Sequence, residues 1–357
     1  MTVRQFFSRT SAEADVRRAM DSPAGYDPQV WKQLCAQLGL SGLGIPEEFG
    51  GAGGGPVETG IVFEEMGRAM FAGPYLSTVG LAAGLLLALG DRAAMARYLP
   101  GIADGSLIVT VALAEDSARW DDVDGIALTA RESAAGWCLE GRKLFVLDGA
   151  LADVLLVVAR TGDGVAVLAV EGSASGLTRA EMPSIDRTRR VASLDFTDVP
   201  GQLSAHDAGP AVGRMLDRVG VALAAEQVGG AARAMEMATD YARTREQFGR
   251  PIGSFQAIKH RCAEMLVQVE SARSLAYYAM WAAADEADDR ALAASLAMAF
   301  CTEAFTWVAA ENIQVHGGIG FTWEHPAHLY FKRAQSSRVL FGDPVHHREL
   351  AAQRLGV

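Results

Sequence analysis

The sequence predicts an α+β, multidomain protein with an N-terminal α-helical domain, a middle β domain and a C-terminal four-helix bundle. Three observations support this prediction. Apolar residues recur at helical spacing as far as about residue 105, alternate with a period of two to about residue 205, and then return to helical spacing in longer segments. We therefore expect domains at residues 1–105, 106–205 and 206–357.

The N-terminal domain is predicted from two amphipathic helices and the loop between them. The first helix lies in DPQVWKQLCAQLGL and ends at Gly39, and the second, PVETGIVFEEMGRAM, begins at Pro56. The glycine-rich segment GLGIPEEFGGAGGGP connects the two. A third apolar run, residues 79–90, is too short to span a bilayer, so we expect a buried helix there.

The middle domain is predicted from short runs of alternating residues separated by Asp, Gly and Ser turns. These runs are SLIVTVALAE, WCLEGRKLFV, DVLLVVAR, GVAVLAV and VASLDFTDV. Short strands with tight turns indicate a compact domain of antiparallel strands.

The C-terminal domain is predicted from three long, alanine-rich helical segments that suit the close packing of a four-helix bundle. We expect the first of them to end near Phe248, where Gly249 breaks the helix. The next helix is expected to begin near Ser254, which can serve as its N-cap.

Composition and charge exclude several functional classes. Half of the 357 residues are hydrophobic, and the net charge of −11 disfavours general nucleic-acid binding. The four cysteines are too scattered for a disulfide framework or a zinc site; they are Cys35, Cys138, Cys262 and Cys301. The first residues contain no apolar signal core. We expect a reduced, cytoplasmic protein without a membrane span.

Two short motifs are candidates for binding a phosphate group. Arg243, Arg245 and Arg250 cluster around one predicted turn and could meet a phosphate, although periodicity alone favours a helix hairpin whose arginines face solvent. Gly317 and Gly318 break the third long helix, so they either admit a pyrophosphate to the backbone or form a simple helix cap. No strand precedes these glycines, which excludes a Rossmann fingerprint.

Histidines and one carboxylate near the C-terminus raise the question of a catalytic site. Pro326 separates His325 from His328, so the two do not form a metal-binding pair on one helix, and we predict no metal site. Asp343 stands in the turn SRVLFGDPVHH. From the residues alone it is either a catalytic base or a turn aspartate.

Several segments, in this order, resemble the acyl-CoA dehydrogenase family from about residue 25 to the end. They are LGIPEEFGGAGGG, ARYLPGIADGSLIVTVALAED, TREQFGRPIGSFQ and QVHGGIG. The resemblance implies a middle β-barrel-like domain, and FAD held between that domain of one subunit and the helical bundle of its neighbour. It implies α,β-dehydrogenation of an acyl-CoA thioester, with an electron-transfer flavoprotein as acceptor and a homodimer or homotetramer as the assembly.

The resemblance also implies which residues contact FAD. Arg245 matches the arginine that contacts the pyrophosphate across the dimer interface. Further matching positions are Gln247, Phe255, Gln256, Gln314, Gly317 and Gly318. In the β domain, Ala114, Phe145 and Leu147 occupy flavin-contacting positions where the family has Thr-Glu-Pro-Gly and Trp-Ile-Thr or Trp-Ile-Ser segments. Two hydroxyl groups are thereby lost, at roughly 1 kcal/mol each, so we expect weakened FAD binding.

The catalytic base departs from the family pattern. Counting without gaps puts Phe341 at the position of the usual glutamate and Asp343 two residues beyond it, while Val219 occupies the alternative position used by some members. Glu226, about two turns further on, is expected to make a helix contact. Three hypotheses follow: an active enzyme with Asp343 as base, a non-catalytic, flavin-supporting subunit that joins a related larger subunit, or a flavin-free scaffold.

Overall fold

A computed structural model describes residues 2–121, 123, 125–134 and 136–357. The chain divides into two compact units, each built from separate stretches. The bundle unit comprises Met1–Arg18, Pro56–Phe71 and Gly220–Val357, and the barrel unit comprises Ala19–Gly55 and Ala72–Val219. The predicted order of helices, sheet and helices is confirmed, whereas the domain boundaries at residues 105 and 205 stay a prediction.

Helices precede the sheet, as predicted. They are α1 (Val3–Thr10), α2 (Glu13–Asp21), α3 (Pro28–Lys32), α4 (Pro56–Ala69), α5 (Gly84–Leu89) and α6 (Arg92–Asp104). The apolar run predicted as one buried helix begins as a π-helical segment, Leu76–Ala83, and continues directly into α5. Its residues are buried, which explains why the run contains so few polar side chains.

The sheet of the barrel unit closes on itself. Its strands are β1 (Val109–Ala112), β2 (Thr129–Ser133), β3 (Gly136–Leu147), β4 (Val154–Thr161), β5 (Gly164–Glu171), β6 (Leu177–Glu181) and β7 (Val191–Ala205). Pairing runs from β4 through β2, β3, β7 and β5 back to β4, which confirms the barrel-like expectation. Strand β1 adds to β4 and β6 adds to β7. A closed ring leaves fewer open edges than a flat sheet of the same strands.

The sheet differs from the predicted one in two respects. Strand β1 pairs with β4 in parallel, and β2 meets β4 in parallel at Thr129 and Arg160, so the sheet is only mainly antiparallel. Strands β2 and β6 were not predicted, because TARES and LTRAE are too polar to show a buried alternating face.

The bundle unit contains the longest helices of the chain. They are α7 (Gly209–Thr244, from Gly220 onward in this unit), α8 (Gln256–Ala284), α9 (Arg290–His316), α10 (Ala327–Ser337) and α11 (Pro344–Leu355). A two-stranded hairpin, β8 (Glu246–Gln247) and β9 (Arg250–Pro251), connects α7 to the short turn before α8. By length and composition the stretch Arg290–Phe321 could cross a membrane, but 61% of its apolar window is buried inside the protein.

Two glycines bring α4 and α7 into backbone contact. A β-carbon at Gly67 would lie 1.8 Å from the carbonyl oxygen of Glu226, and one at Gly229 would lie 1.8 Å from that of Glu64. Only glycine therefore permits this crossing. The contact fixes the height of Glu226 relative to α4 inside the bundle unit.

Candidate functional site

The hairpin after α7 carries the arginine-rich motif. Strands β8 and β9 pair across Phe248 and Gly249, whose φ angles are +52° and +76°. Positive φ at both loop residues is the conformation that a tight two-residue hairpin needs. The prediction that the helix continues to Phe248 is wrong, because α7 ends at Thr244 and the following residues form this turn.

The three arginines of the motif have different environments. Arg243 lies 3.4 Å from the carboxylate of Asp240, and the guanidinium of Arg250 stacks over the Phe255 ring at 4.1 Å. Arg245 is exposed, and within the part of the chain that the structure describes no carboxylate pairs with it. Of the three, Arg245 is thus the guanidinium left available for a phosphate.

The residues after the hairpin differ from the predicted helix start. Helix α8 begins at Gln256 with Phe255 at the N-cap position, so the prediction that Ser254 caps it is wrong. Ser254 instead belongs to a short 3-10 turn, and its buried hydroxyl has no hydrogen-bond partner among the described residues. A buried hydroxyl without a partner is costly, which favours a ligand or water beside it. The Gln247 side chain donates to the Glu246 carbonyl oxygen at 2.8 Å.

The glycine loop after α9 leaves its backbone open. Gly317 has φ +62° and ψ −140°, a conformation that only glycine adopts readily, and its N–H donates to the carbonyl oxygens of Ile313 and Gln314. A β-carbon at Gly317 or Gly318 would meet nothing within 4 Å. The Gln314 side chain is exposed beside this loop. The glycines thus leave room for a ligand near the backbone.

The corresponding positions in the barrel unit are buried and apolar. Ala114 and Leu147 are each 1% exposed. The Leu144 N–H donates to the Ala114 carbonyl oxygen at 2.9 Å, and the Thr110 hydroxyl donates to that of Leu147 at 2.6 Å. Phe145 is half-buried and has φ +54° at a bulge in β3. The side chains at these three positions therefore supply no hydroxyl in place of the two that the family has.

The sequence reasoning missed a buried ion pair that holds the Ala114 segment. Lys143 on β3 is fully buried and donates to the Leu113 carbonyl oxygen at 2.9 Å and to a Glu115 carboxylate oxygen at 2.7 Å. Burial lowers the pKa of Lys143 to about 8, while the Glu115 charge raises it. In the sequence, this contact is indicated only by a lysine within the predicted strand WCLEGRKLFV and by the glutamate at position 115.

A second missed feature is the buried carboxyl group of Asp148, at the end of the same strand. Asp148 has φ +53°, and the Ser77 hydroxyl, which lies on the π-helical segment, is 2.5 Å from its carboxyl oxygen. Burial raises the pKa of Asp148 to about 6. No local sequence signal links residues this far apart in the chain.

Asp343 serves as the N-cap of α11. Its carboxylate accepts the backbone N–H of His346 at 2.8 Å, and Pro344 occupies the first helical position. Both features are typical of a helix start. Gly342 has φ +108°, and a β-carbon there would lie 2.3 Å from the His346 ring. The turn therefore aims the carboxylate at the helix terminus.

The two family positions for the base, Phe341 and Val219, carry no proton acceptor in their side chains. Phe341, at the position of the usual glutamate, is 4% exposed with φ +60°. Burial lowers the pKa of His347 to about 4, which makes its ring a weak proton acceptor. Val219, at the alternative position, is fully buried and cannot exchange a proton.

Glu226 makes the helix contact expected from the sequence. Its carboxylate pairs with the guanidinium of Arg333 on α10, and both side chains are almost completely buried. Arg333 also donates to the Phe71 carbonyl oxygen at 3.2 Å. A carboxylate that is buried and paired with a guanidinium in this way makes a structural contact between helices and does not face a substrate proton.

A closed barrel, a bundle and polar segments next to glycines fit the class of protein expected from the sequence, a flavin-dependent oxidoreductase. Two family models match: acyl-CoA dehydrogenase, N-terminal domain, over residues 1–106, and acyl-CoA dehydrogenase, C-terminal domain, over residues 210–356. The chain belongs to the acyl-CoA dehydrogenase family, whose members are oxidoreductases acting on acyl-CoA.

Similar proteins cover almost the whole chain. Acyl-CoA dehydrogenase IpdE2 of Mycolicibacterium smegmatis is 36% identical over 96% of this chain and 93% of its own length. A solved variant of the Tcur3481-Tcur3483 steroid ACAD is 31% identical with a TM-score of 0.88, covering 99% of this chain and 95% of its own. The ChsE4-ChsE5 complex from Mycobacterium tuberculosis is 28% identical with a TM-score of 0.87, covering 99% and 95%.

Proteins of this family bind FAD, and the residues of the bundle unit fit that cofactor. The Arg245 guanidinium, which no carboxylate among the described residues pairs with, offers positive charge. The Ser254 hydroxyl, which has no partner among those residues, offers a hydrogen bond, and the glycine loop leaves space. The barrel-unit positions fit less well, because Ala114 and Leu147 supply no side-chain donor. Among the described residues, no group of three or more His, Cys, Asp or Glu side chains is arranged to hold a metal ion.

Proposed function

We propose that this chain is the flavin-supporting subunit of a hetero-oligomeric acyl-CoA dehydrogenase, and that a related, larger subunit supplies the catalytic base. The strongest support is that both carboxylates considered as the base already have protein partners. Asp343 caps α11, and Glu226 is neutralised by Arg333. A general base needs a lone pair free to accept the α-proton of the substrate.

The contribution of this chain to the reaction is to bind and orient the cofactor. Arg245 would neutralise the pyrophosphate, and the backbone at Gly317 and Gly318 would allow its close approach. Gln247, Phe255, Gln256 and Gln314 would add contacts from the same unit. Of the three barrel-unit positions, half-buried Phe145 would offer its ring to the flavin, whereas Ala114 and Leu147 are buried beneath the surface. FAD, when bound, supplies the acceptor for the β-hydrogen, which leaves as hydride.

The substrate class we propose is a steroid-derived acyl-CoA thioester. Its support is the likeness to a protein described as a steroid ACAD, at 31% identity over nearly the whole chain. The proposed assembly draws support from the ChsE4-ChsE5 complex, which contains two named components. We further propose a cytoplasmic location and an electron-transfer flavoprotein as acceptor, as the family resemblance implies.

A second candidate function is an active homo-oligomer in which Asp343 is the base. It is favoured by the place of Asp343, two residues beyond the usual position, and by its exposure. In that case the carboxylate would have to leave the N–H of His346 when substrate binds. The first candidate needs no such rearrangement, because Asp343 then remains a cap.

Anaerobic titration with steroid-derived acyl-CoA separates the two candidates. The purified chain, loaded with FAD, is compared with the same chain assembled with a related larger subunit. We expect bleaching of the flavin absorbance only in the mixed assembly. Full bleaching by the chain alone, in a stable homo-oligomer, would reject the flavin-supporting role and favour the second candidate.

A further inference from the structure

Three aromatic rings link the hairpin to the glycine loop inside the bundle unit. The Tyr241 and His316 ring centroids are 4.3 Å apart with planes at 31°, and those of His316 and His325 are 4.2 Å apart at 43°. The rings are thus in close contact with their planes tilted. Tyr241 lies at the end of α7, His316 ends α9, and His325 precedes α10. We call these three residues the ring stack.

The ring stack is connected by the backbone to both segments proposed to contact FAD. The Arg245 N–H donates to the Tyr241 carbonyl oxygen at 2.8 Å. His316 directly precedes Gly317 and is 5% exposed. Displacing the His316 ring would therefore move the glycine loop, and displacing Tyr241 would move the start of the hairpin.

Backbone hydrogen bonds fix the proton position on both imidazoles, and the one to His325 requires its neutral form. His316 Nδ1 lies 2.8 Å from the Asn312 carbonyl oxygen, which can only accept, so this nitrogen carries a proton. His325 Nδ1 accepts the N–H of Ala327 at 3.2 Å, so it must be unprotonated. Adding a proton to His325 would place two donors face to face and remove this hydrogen bond from the first residue of α10.

The charges around the two rings also favour neutrality. Burial lowers the pKa of His316, and burial followed by the nearby His316 lowers the pKa of His325. Glu13 on α2 acts in the opposite direction on His325, but its effect is the smaller. The adjacent Glu324 is fully exposed.

We propose that the ring stack is a positioning element that holds Arg245 and the glycine loop in place for the FAD pyrophosphate, and that proton uptake at His325 loosens it. This inference rests on the proposed FAD contacts. We therefore expect the affinity for FAD to depend on pH, because the conformation that binds FAD requires an unprotonated His325 Nδ1. As pH falls, the loosened ring stack gains a proton on His325 that the intact ring stack excludes, so the conformation that binds FAD becomes less populated.

The test measures the FAD dissociation constant of the full-length chain in its assembly at about pH 7.5 and about pH 5.5, at constant ionic strength. The wild type should bind FAD up to about tenfold more weakly at the lower pH, because that pH lies about one unit below the ordinary histidine pKa. His325→Phe keeps a ring without a titratable nitrogen, and His325→Asn keeps an acceptor without the ring. Both should lose most of this pH dependence.

Matched controls separate the ring stack from other causes. His260→Phe, on an exposed part of α8, should retain the wild-type pH dependence. Arg245→Gln should weaken binding at both pH values while retaining the slope. Retention of the full slope in both His325→Phe and His325→Asn would overturn the inference about the ring stack. Unchanged affinity in Arg245→Gln would instead overturn the FAD contact on which it rests, and neither result depends on which subunit supplies the base.

Discussion

Two regions of the bundle unit, the hairpin around Arg245 and the turn at residues 340–344, treat their polar groups in opposite ways. In the hairpin and the residues just after it, the Arg245 guanidinium has no carboxylate partner and the Ser254 hydroxyl has no hydrogen-bond partner among the described residues. In the turn, Phe341 is buried and the Asp343 carboxylate is bound to a helix N-terminus. The contrast teaches that the chain keeps groups available for a ligand's phosphate but not for a substrate's proton.

Glu226, on α7 before the hairpin, also differs from the available groups of the hairpin, because its carboxylate has a protein partner. A carboxylate in a buried ion pair contributes to the fold, whereas a catalytic carboxylate must be free to change its protonation state. The family membership alone does not distinguish these cases. The partners of each side chain do.

The largest expected effect comes from removing the partner of Glu226. Arg333→Met would leave a buried carboxylate without its counter-charge and should destabilise the fold by about 3–5 kcal/mol. Chemical denaturation of the full chain checks this value. The double variant Glu226→Leu with Arg333→Met should recover most of the loss. An unchanged unfolding free energy in Arg333→Met would contradict the structural role assigned to Glu226.

A pH-dependent effect is expected at Asp148 in the barrel unit. Burial raises its pKa to about 6, above the ordinary value of 3.8, so its stabilising contribution is present below about pH 4 and is lost as pH rises through about 6. Asp148→Asn should therefore raise the unfolding free energy by about 3 kcal/mol at pH 7, with a smaller gain near pH 4. Denaturation at both pH values measures this. A gain that did not shrink at low pH would contradict the buried, charge-disfavouring environment.

Removing the available guanidinium tests the hairpin directly. Arg245→Ala should weaken FAD binding by about 10- to 150-fold, which corresponds to a charge-assisted hydrogen bond of about 1.5–3 kcal/mol. Arg243→Ala is the matched control, because Arg243 already faces Asp240. Fluorescence titration of FAD onto the apo-assembly measures both. Equal losses in the two variants would show that the hairpin does not distinguish its arginines.

The smallest expected effect concerns the cap of α11. Asp343→Ala should lower the unfolding free energy by about 1 kcal/mol, whereas Asp343→Ser should change it by only a few tenths, because serine is also a good N-cap. Thermal and chemical unfolding of the two variants provide the comparison. If alanine and serine gave the same stability, the capping role of Asp343 would lose its support.

Much of the fold could be predicted from the sequence because it depends on local patterns. The period of two identified β3, β4, β5 and β7, and the helical period identified the long bundle helices. The polar strands β2 and β6 lacked that signal, and the parallel pairing of β1 with β4 depends on contacts distant in the chain. The turn at Phe248 was missed because a phenylalanine with positive φ has no strong sequence signature.

The candidate site was predicted less completely. The sequence and the family resemblance selected Arg245 and the glycines, and they correctly placed Glu226 in a helix contact. They missed that Asp343 caps a helix, although the Asp-Pro pair is a recognisable helix start. The ring stack and the Ser77–Asp148 contact join residues separated by long stretches of chain, so neither had a local pattern to announce it.

The central claim, that this chain supports the flavin without supplying the base, is tested most directly by the rate of flavin reduction in Asp343→Asn. Asparagine preserves the helix cap but cannot remove a proton. Rapid anaerobic mixing of the FAD-loaded assembly with acyl-CoA measures the reduction rate for the variant and the wild type. We predict equal rates. A fall of about a hundredfold or more, with stability and FAD affinity unchanged, would identify Asp343 as the base and contradict this account.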